Sequence, residues 1–411
     1  IVRRMLKVYR KYISMLGSVL AAVSLGLAFP TEAAQVKTEP VKVQTVNYKK
    51  DSPSWQAFCQ KYKLNPALKG KRVIMDFDLT YLNDDFFALT EMLKLHQYGF
   101  IKLEGISIVG ANSIVARCAY DTLSTLHELG FGDIPVYLGT DKPIKGLKKK
   151  EDITKHIGEM GYMGAYMVLD KYTRDWKSQE VKDITTCDDF LPMPELEPEK
   201  TDATTFLLET VKKYPGEVEI ISLGGLMNVA KAIKKDPSFS KNCSGITIMG
   251  GVFHAHGEVL KNVEINWWFD PAAANIVSKA DWKKILILPH DAATHCRKDL
   301  SFIKYYDGKH ESKIVKLIKR DLPKAETYMP ETTLAFFWDP IAVAALVCPD
   351  IIKKQETLYF AVQEEWGHGF GSTYHWTKEI APKGVGKGDV ILEVDGNLFY
   401  EFLTDLQALE D

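Results

Sequence analysis

The six cysteines, at positions 59, 118, 187, 243, 296 and 348, include no CxxC or CxH spacing. That scatter argues against a zinc site built on paired thiolates and predicts no particular disulfide. Charge of one sign is also missing. A net charge of -2 over 411 residues leaves no electrostatic footprint for nucleic acid or an anionic membrane as partner. Low-complexity tracts and internal repeats do not stand out. The remaining composition, 46% hydrophobic and 26% charged, is that of an ordinary globular chain.

Long apolar runs are lacking except for one. Arg3, Arg4, Lys7, Arg10 and Lys11 precede the 17-residue stretch "ISMLGSVLAAVSLGLAF", and Pro30 to Ala34 offers a small-residue cleavage site. This layout predicts a secretory signal peptide over 1–34 and an exported protein, periplasmic in a Gram-negative host or otherwise secreted. A membrane anchor competes, because 17 residues approach the lower limit for a span. Residues 35–70 form a polar lead-in with one helical candidate, "SPSWQAFCQKYKL", and 71–411 make up a single main domain.

From Lys71 onward β-branched runs alternate with helical periodicity. "RVIMDFD", "LEGISIVGAN", "IPVYLGTD", "EVEIISLGG", "GITIMGG" and "KKILILPHD" read as strands, most followed by an amphipathic segment. The pattern predicts an α/β fold: an open, mostly parallel sheet with helices on both faces. Asp76 and Asp78, Gly110 to Asn112, Gly224-Gly225, Gly250-Gly251 and His290-Asp291 each lie just past a strand. Carboxyl ends of parallel strands share one edge, where ligands bind, so these loops are expected to meet.

Four aspartates crowd into "DFDLTYLNDD", Asp76 to Asp85. Asp76-Phe77-Asp78-Leu79-Thr80 matches the Asp-x-Asp-x-Thr of haloacid-dehalogenase-like phosphatases, with Asp76 as nucleophile. Such a phosphatase needs a second acidic motif downstream. The nearest, Gly388-Asp389 with Glu393, sits in what reads as an alternating strand. The other reading makes Asp78 and Asp85 half of a calcium nest, since Asp84 and Asp85 open a helix whose N-terminus favours carboxylates. Ca²⁺ takes six to eight oxygens, so another carboxylate is required. Asp339, in "LAFFWDPIAVAALV", can supply it, although an N-cap before Pro340 is the simpler account. Asp270-Pro271 is expected to be only such a cap.

From about Lys71 to the C-terminus the chain resembles the inosine-uridine preferring nucleoside hydrolase family. "VIMDFD…NDDFFAL", "IVGAN", "PVYLGTDKPI", "SLGGLMNVA", "TIMGGVFHAHG", "VEINWWFDPAAANIV", "WDPIAVAAL" and "ILEVDGNLFYEFL" follow the family's order. The resemblance implies a Rossmann-type nucleoside hydrolase fold that cleaves the N-glycosidic bond of a ribonucleoside with Ca²⁺. The small-molecule nucleoside would be its partner, and a homo-oligomer is compatible with it. Asp78, Asp85 and Asp339 would bind the cation with the carbonyl of Leu223, and Asp78 would serve as general base. Asp84, Asn112, Glu264 and Asn266 would hold ribose hydroxyls, with Met249 beneath the sugar. Glu264 and Asn266, two apart on an extended segment, would point to one side.

Two departures from the family pattern matter. Trp338 occupies the position where many pyrimidine-cleaving relatives carry an acidic histidine, and its indole favours stacking on a purine. His156, His254 and His256 are loose alternatives for the acid, and "EEWGHGFGSTYHW" is either a cap over the base or a self-packed loop. Five residues, Leu79 to Asn83, separate Asp78 from Asp84, where the family usually has three. The insertion displaces Asp78 relative to Asp85 and opens a further reading: a nucleoside- or sugar-binding protein with little or no turnover.

Overall fold

The computed structural model describes residues 48–411 apart from 159–162, 169–170, 186, 295, 298–299 and 329–335. The expected signal segment 1–34 and the lead-in as far as residue 47 lie outside the described residues. So does the side chain of His156.

Nine strands form one sheet in the order β3-β2-β1-β4-β5-β6-β9-β7-β8. They are β1 Lys71–Phe77, β2 Ile101–Ile108, β3 Val136–Leu138, β4 Val218–Ser222, β5 Gly245–Met249, β6 Ile285–Leu288, β7 Ile352–Val362, β8 Thr373–Trp376 and β9 Gly386–Val394. Pairing is parallel from β3 through β6 to β9, and β7 runs antiparallel to both β9 and β8. The first six strands thus follow the 3-2-1-4-5-6 order of a dinucleotide-type sheet, whose direction of winding reverses between β1 and β4. In open sheets of this kind ligands bind at that reversal, outside the strands' carboxyl ends.

Helices used below are α1 Pro53–Lys61, α2 Asp84–Gln97, α3 Val115–Leu129, α4 Ala203–Lys213, α5 Met227–Lys235, α6 Ile265–Phe269, α7 Pro271–Ser278, α8 Lys313–Tyr328, α9 Asp339–Val347 and α10 Gly396–Gln407. The helix expected in the lead-in is α1, opened by a Ser52 hydroxyl that accepts from the Trp55 N–H. Trp55 stacks on Tyr98 at 5.1 Å and Phe58 meets Phe402 at 5.4 Å, so α1 shares the core of the sheet domain. Among the described residues no helix is long and apolar enough to cross a membrane, and all six cysteines are free.

The central strand carries a buried acid. Asp76 faces Ser107 on β2 and Ser222 on β4 in register. Both hydroxyls donate to it, at 3.2 Å from Ser222, and Asn228 Nδ2 donates at 2.8 Å. Burial pushes its carboxyl up to about 6, against those three bonds. Fully enclosed and saturated, Asp76 is no nucleophile. Asp389, the phosphatase reading's second acid, lies out on β9 and accepts from the Thr357 hydroxyl at 2.7 Å. The phosphatase reading fails on both counts.

Candidate active site

Past the end of β1 the chain turns through Leu79–Asn83 into α2. Asp78 is fully buried there. Asn112, beyond β2, donates its backbone N–H to Asp78 Oδ2 at 2.5 Å and its amide to Asp78 Oδ1 at 3.1 Å. The same amide reaches Asp85 Oδ2 at 3.1 Å, which Asn83 Nδ2 also meets at 2.7 Å. Asn83 is the extended residue preceding α2, yet its side chain makes no cap. It serves Asp85 instead.

Gly224 explains how Asp78 fits. A Cβ at Gly224 would lie 2.5 Å from Asp78 Oδ1, so only glycine lets the β4 loop pass this close. The neighbouring Leu223 carbonyl accepts from Asn266 Nδ2 at 2.9 Å. Asn266 also meets Met249 Sδ at 3.2 Å, which joins the ends of β4 and β5.

Asp339 arrives from 255 residues away along the chain, its N–H donating to Asp84 Oδ2 at 3.2 Å. It is not the N-cap that the simpler sequence account allowed. That position belongs to Trp338, and the Asp339 carboxylate turns toward α2. Asp270, its look-alike, does cap: it accepts from the Ala273 N–H at 3.0 Å and from the Ile144 N–H at 2.6 Å. Carboxylate oxygens of Asp84, Asp85 and Asp339 lie within 4.8 Å of one another. Asp78 stands outside this trio, tied to it through Asn112.

Crowded acids without compensation hold protons. Burial first, and then the charge of Asp84 and Asp85, puts Asp339 well above the usual carboxylate range. Burial and Asp84 push Asp85 up to about 7. Asp78 is raised by burial and then by Asp85, against the Asn112 N–H. Asp85 Oδ1 and Asn83 Oδ1 are buried with no hydrogen-bond donor among the described residues. Three clustered carboxylates with spare acceptors are a donor set suited to a hard divalent cation. The residues fit the ion that the resemblance implies.

Glu264 and Asn266 differ from expectation. Glu264 is the extended N-cap of α6 and Asn266 is already helical. The Glu264 carboxylate takes the N–H groups of Asn266, Gly251 and Trp267 at 2.7, 2.8 and 3.1 Å, so it turns back over the helix start. Burial, then Glu258, raises it to about 8 against these bonds. Asn266 Oδ1 is buried without a donor and remains available to a ligand.

Trp338, half-buried, donates from Nε1 to His290 Nδ1 at 3.1 Å. Glu258 Oε2 approaches the same Nδ1, also at 3.1 Å. An indole only donates and a carboxylate only accepts, so the two bonds exclude each other. Neutral Nδ1 receives the indole; protonated Nδ1 turns to Glu258. Burial opposes the imidazolium, but the Glu258 bond and charge outweigh it and raise His290 above its ordinary value. His254, exposed, faces His375 with ring centroids 4.7 Å apart. In the aromatic stretch 364–376 Trp366 packs against Phe370 at 4.8 Å, while Thr373–Trp376 is strand β8 and His375 Nε2 lies 3.0 Å from the Phe253 carbonyl.

Sequence reasoning missed four contributors: Asn83, Asn228, Glu258 and His290. His290 was visible as a strand-end residue and Asn228 lay inside "SLGGLMNVA", but neither residue type announces its partner.

The family model of inosine-uridine preferring nucleoside hydrolases matches residues 73–401. Uridine nucleosidase 1 of Arabidopsis thaliana is 28% identical over 294 residues, 70% of this chain and 77% of that protein. A solved plant nucleoside hydrolase, PpNRh1, superposes with a TM-score of 0.65 at 25% identity, covering 82% of this chain and 99% of the other. A purine-preferring ribonucleoside hydrolase from Gardnerella vaginalis shares the fold at 22% identity, with a TM-score of 0.63 over 82% of this chain and 98% of its own. With the strand order, the buried carboxylates and a match spanning most of the chain in agreement, the protein belongs to the inosine-uridine preferring nucleoside hydrolase family.

Proposed function

We propose that the protein is a Ca²⁺-dependent N-ribohydrolase that splits ribonucleosides, purines first, into ribose and free base. The observation that carries this is the convergence of Asp84, Asp85 and Asp339 on one buried spot with unpartnered oxygens beside Asp78. Ca²⁺ suits it because oxygens are the only donors in the cluster and soft ligands are absent from it. Asp84, Asp85 and Asp339 would hold the ion, with the Leu223 carbonyl and Asp78 at its margin. When bound, it would lower the pKa of an attacking water and engage ribose hydroxyls.

The protein's own groups divide the remaining work. Asp78, with both oxygens oriented by Asn112 and its pKa raised by burial, is the general base that takes the proton from water. Asn112 and Asn266 present amides to the sugar, and Met249 floors it. Buried carboxylates offset positive charge developing on the ribosyl ring. Trp338 stacks on the leaving base, its plane set by the bond to His290.

Purine preference rests on that indole. One observation favours uridine instead: a uridine nucleosidase stands among the most similar relatives. A single assay decides between them. Free ribose is measured from inosine, adenosine, guanosine, uridine and cytidine, with and without a calcium chelator. Chelator-sensitive release, fastest with purines, is the expected result, and Trp338→Ala then raises KM for purines more than for pyrimidines. Faster release from uridine would overturn the purine reading. No release from a folded, calcium-loaded sample that still binds nucleoside would make the protein a binding module.

A further inference from the structure

Away from the aspartates, the loop following β3, the start of α4 and the length of α5 border an open cleft of about 630 Å³. Five cations line it: Lys142, Arg174, Lys231, Lys234 and Lys235. The one carboxylate on its wall, Asp202, is committed to capping α4, accepting from the Thr205 N–H at 3.2 Å and hydroxyl at 2.6 Å. None of the five cations makes an ion pair among the described residues. Lys142 lies 5.9 Å from the Tyr172 ring, Lys231 feels the charges of Asp141, Asp270 and Asp202, and Lys235 that of Asp202.

This concentration of charge is costly to the free protein. Lys231, Lys234 and Lys235 fall at i, i+3 and i+4 on α5, on one face of the helix, where like charges repel. Lys234 and Lys235 suit the last turn, whose carbonyls attract cations, but Lys231 stands a turn earlier and gains nothing from it. Lys231 is also half-buried. Burial depresses its pKa, Asp141, Asp270 and Asp202 pull it back up, and Arg174 pushes it down, with a net lowering. In a chain of net charge -2, a cleft that carries five cations against one carboxylate focuses its field on an anion.

We infer that this cleft is a second ligand site, for a phosphorylated small molecule of sugar-phosphate or nucleotide size. Its volume lies within the range of small-molecule pockets, far more than a bare ion needs. Three of the cations come from α5, and Lys142 and Arg174 come from other segments of the chain. A phosphoryl group is held by these cations together, with the Arg174 guanidinium able to take two of its oxygens in parallel. The floor connects inward. Gly139 donates its N–H to the Ile108 carbonyl, and Thr140 donates to Asn228 Oδ1 at 3.1 Å, the same Asn228 that holds Asp76. The Thr140 carbonyl accepts from the Gly110 N–H at 3.0 Å, two residues before Asn112. Ligand contacts at Thr140 therefore reach the strand ends that carry the aspartate site.

The site is tested on the full chain by calorimetric titration with ribose 5-phosphate and inorganic pyrophosphate, with ribose as the uncharged control. The expected result is binding of both phosphorylated probes that weakens steeply with added salt. It falls at least ten-fold in Lys231→Gln/Lys234→Gln and, separately, in Arg174→Gln, while ribose is unaffected by either change. These variants alter exposed or half-exposed cations, and thermal melting without ligand confirms that they fold. Their nucleoside hydrolysis without phosphorylated probe stays at the wild-type rate. Equal binding by wild type and variants, or no heat beyond that of sodium chloride at matched ionic strength, overturns the inference. Failure here leaves ribose release from nucleosides untouched, so the two readings stand or fall separately.

Discussion

Asp270 and Asp339 both introduce a proline-led helix, and their neighbours give them opposite tasks. At Asp270 the carboxylate has two backbone N–H groups to satisfy. At Asp339 it has none among the described residues and meets the acids of Asp84 and Asp85. Asp270→Ala therefore costs about 1–2 kcal/mol of stability by losing a cap, while the rise in Tm on adding calcium is retained. Asp339→Asn removes like-charge crowding. The variant without calcium is expected to melt no lower than calcium-free wild type, and its Tm to ignore added calcium. Paired melts with calcium and with chelator check both.

A second residue-scale case is Glu91, fully enclosed in α2 with neither oxygen partnered among the described residues. Burial alone drives its pKa well above the ordinary value. A carboxyl whose pKa is raised on folding contributes stability below the unfolded pKa of about 4.3 and loses it as pH climbs toward the folded value, at ~1.4 kcal/mol per unit. Glu91→Met is expected to gain on wild type steadily from pH 5 upward, as read by urea denaturation at pH 5, 6.5 and 8. A difference independent of pH would mean that Glu91 is not protonated in the native state. Nothing in the sequence marked this residue, because Glu at a helical position reads as solvated until its neighbours are known.

At the scale of the element, the strand-helix alternation was legible and the loop it feeds was not. Strand ends could be located from β-branched runs followed by glycine, asparagine or aspartate, and Asp78, Asn112, Leu223 and Met249 all fall there. The enlarged loop Leu79–Asn83 defied reading because its geometry rests on distant partners. Leu82 adopts φ 63°, the sole left-handed non-glycine among the described residues. That conformation costs about 1–2 kcal/mol, and full burial of the leucine side chain offsets it. Tyr81 anchors the turn: its N–H donates to Asp121 Oδ2 at 3.0 Å and its hydroxyl to Asp321 Oδ2 at 2.9 Å, the latter on α8. Tyr81 and Leu82 are thus buried in the protein's body, and Asp84 and Asp85 stand at the helix start. Tyr81→Phe cuts the tie to α8 and keeps the main-chain bond. It should lower stability by about 1–2 kcal/mol and weaken calcium binding several-fold, measured by titrating calcium into chelator-treated protein. An unchanged calcium affinity would show that the Asp121 bond alone sets the loop. Glu264 and Asn266 teach the same lesson in reverse. Their spacing suggested an extended pair, but a glutamate whose carboxylate caps the Asn266 and Trp267 N–H groups started a helix instead.

For the whole molecule, the dependence of folding on the proposed calcium ion follows from where its acids sit. The sheet closes around Asp76, whose bonds to Ser107, Ser222 and Asn228 are complete without one. The acids at Asp84, Asp85 and Asp339 sit beyond the strand ends, where the protonation of Asp85 and Asp339 that burial favours eases the repulsion. Removing calcium should therefore leave a cooperatively folded protein with a lower Tm, not an unfolded chain. Binding to the native state alone adds RT ln(1 + [L]/Kd), about 2.7 kcal/mol when calcium is at 100 times its Kd. Far-ultraviolet circular dichroism on chelated protein is expected to keep its native helix and strand signal, with Tm rising as the logarithm of added calcium above the Kd. Loss of that signal on chelation would mean that the carboxylates are part of the folding nucleus and that the β1-α2 loop cannot close without the ion. Retention would identify the sheet as a scaffold that stands by itself and holds three mutually repelling acids ready for a ligand.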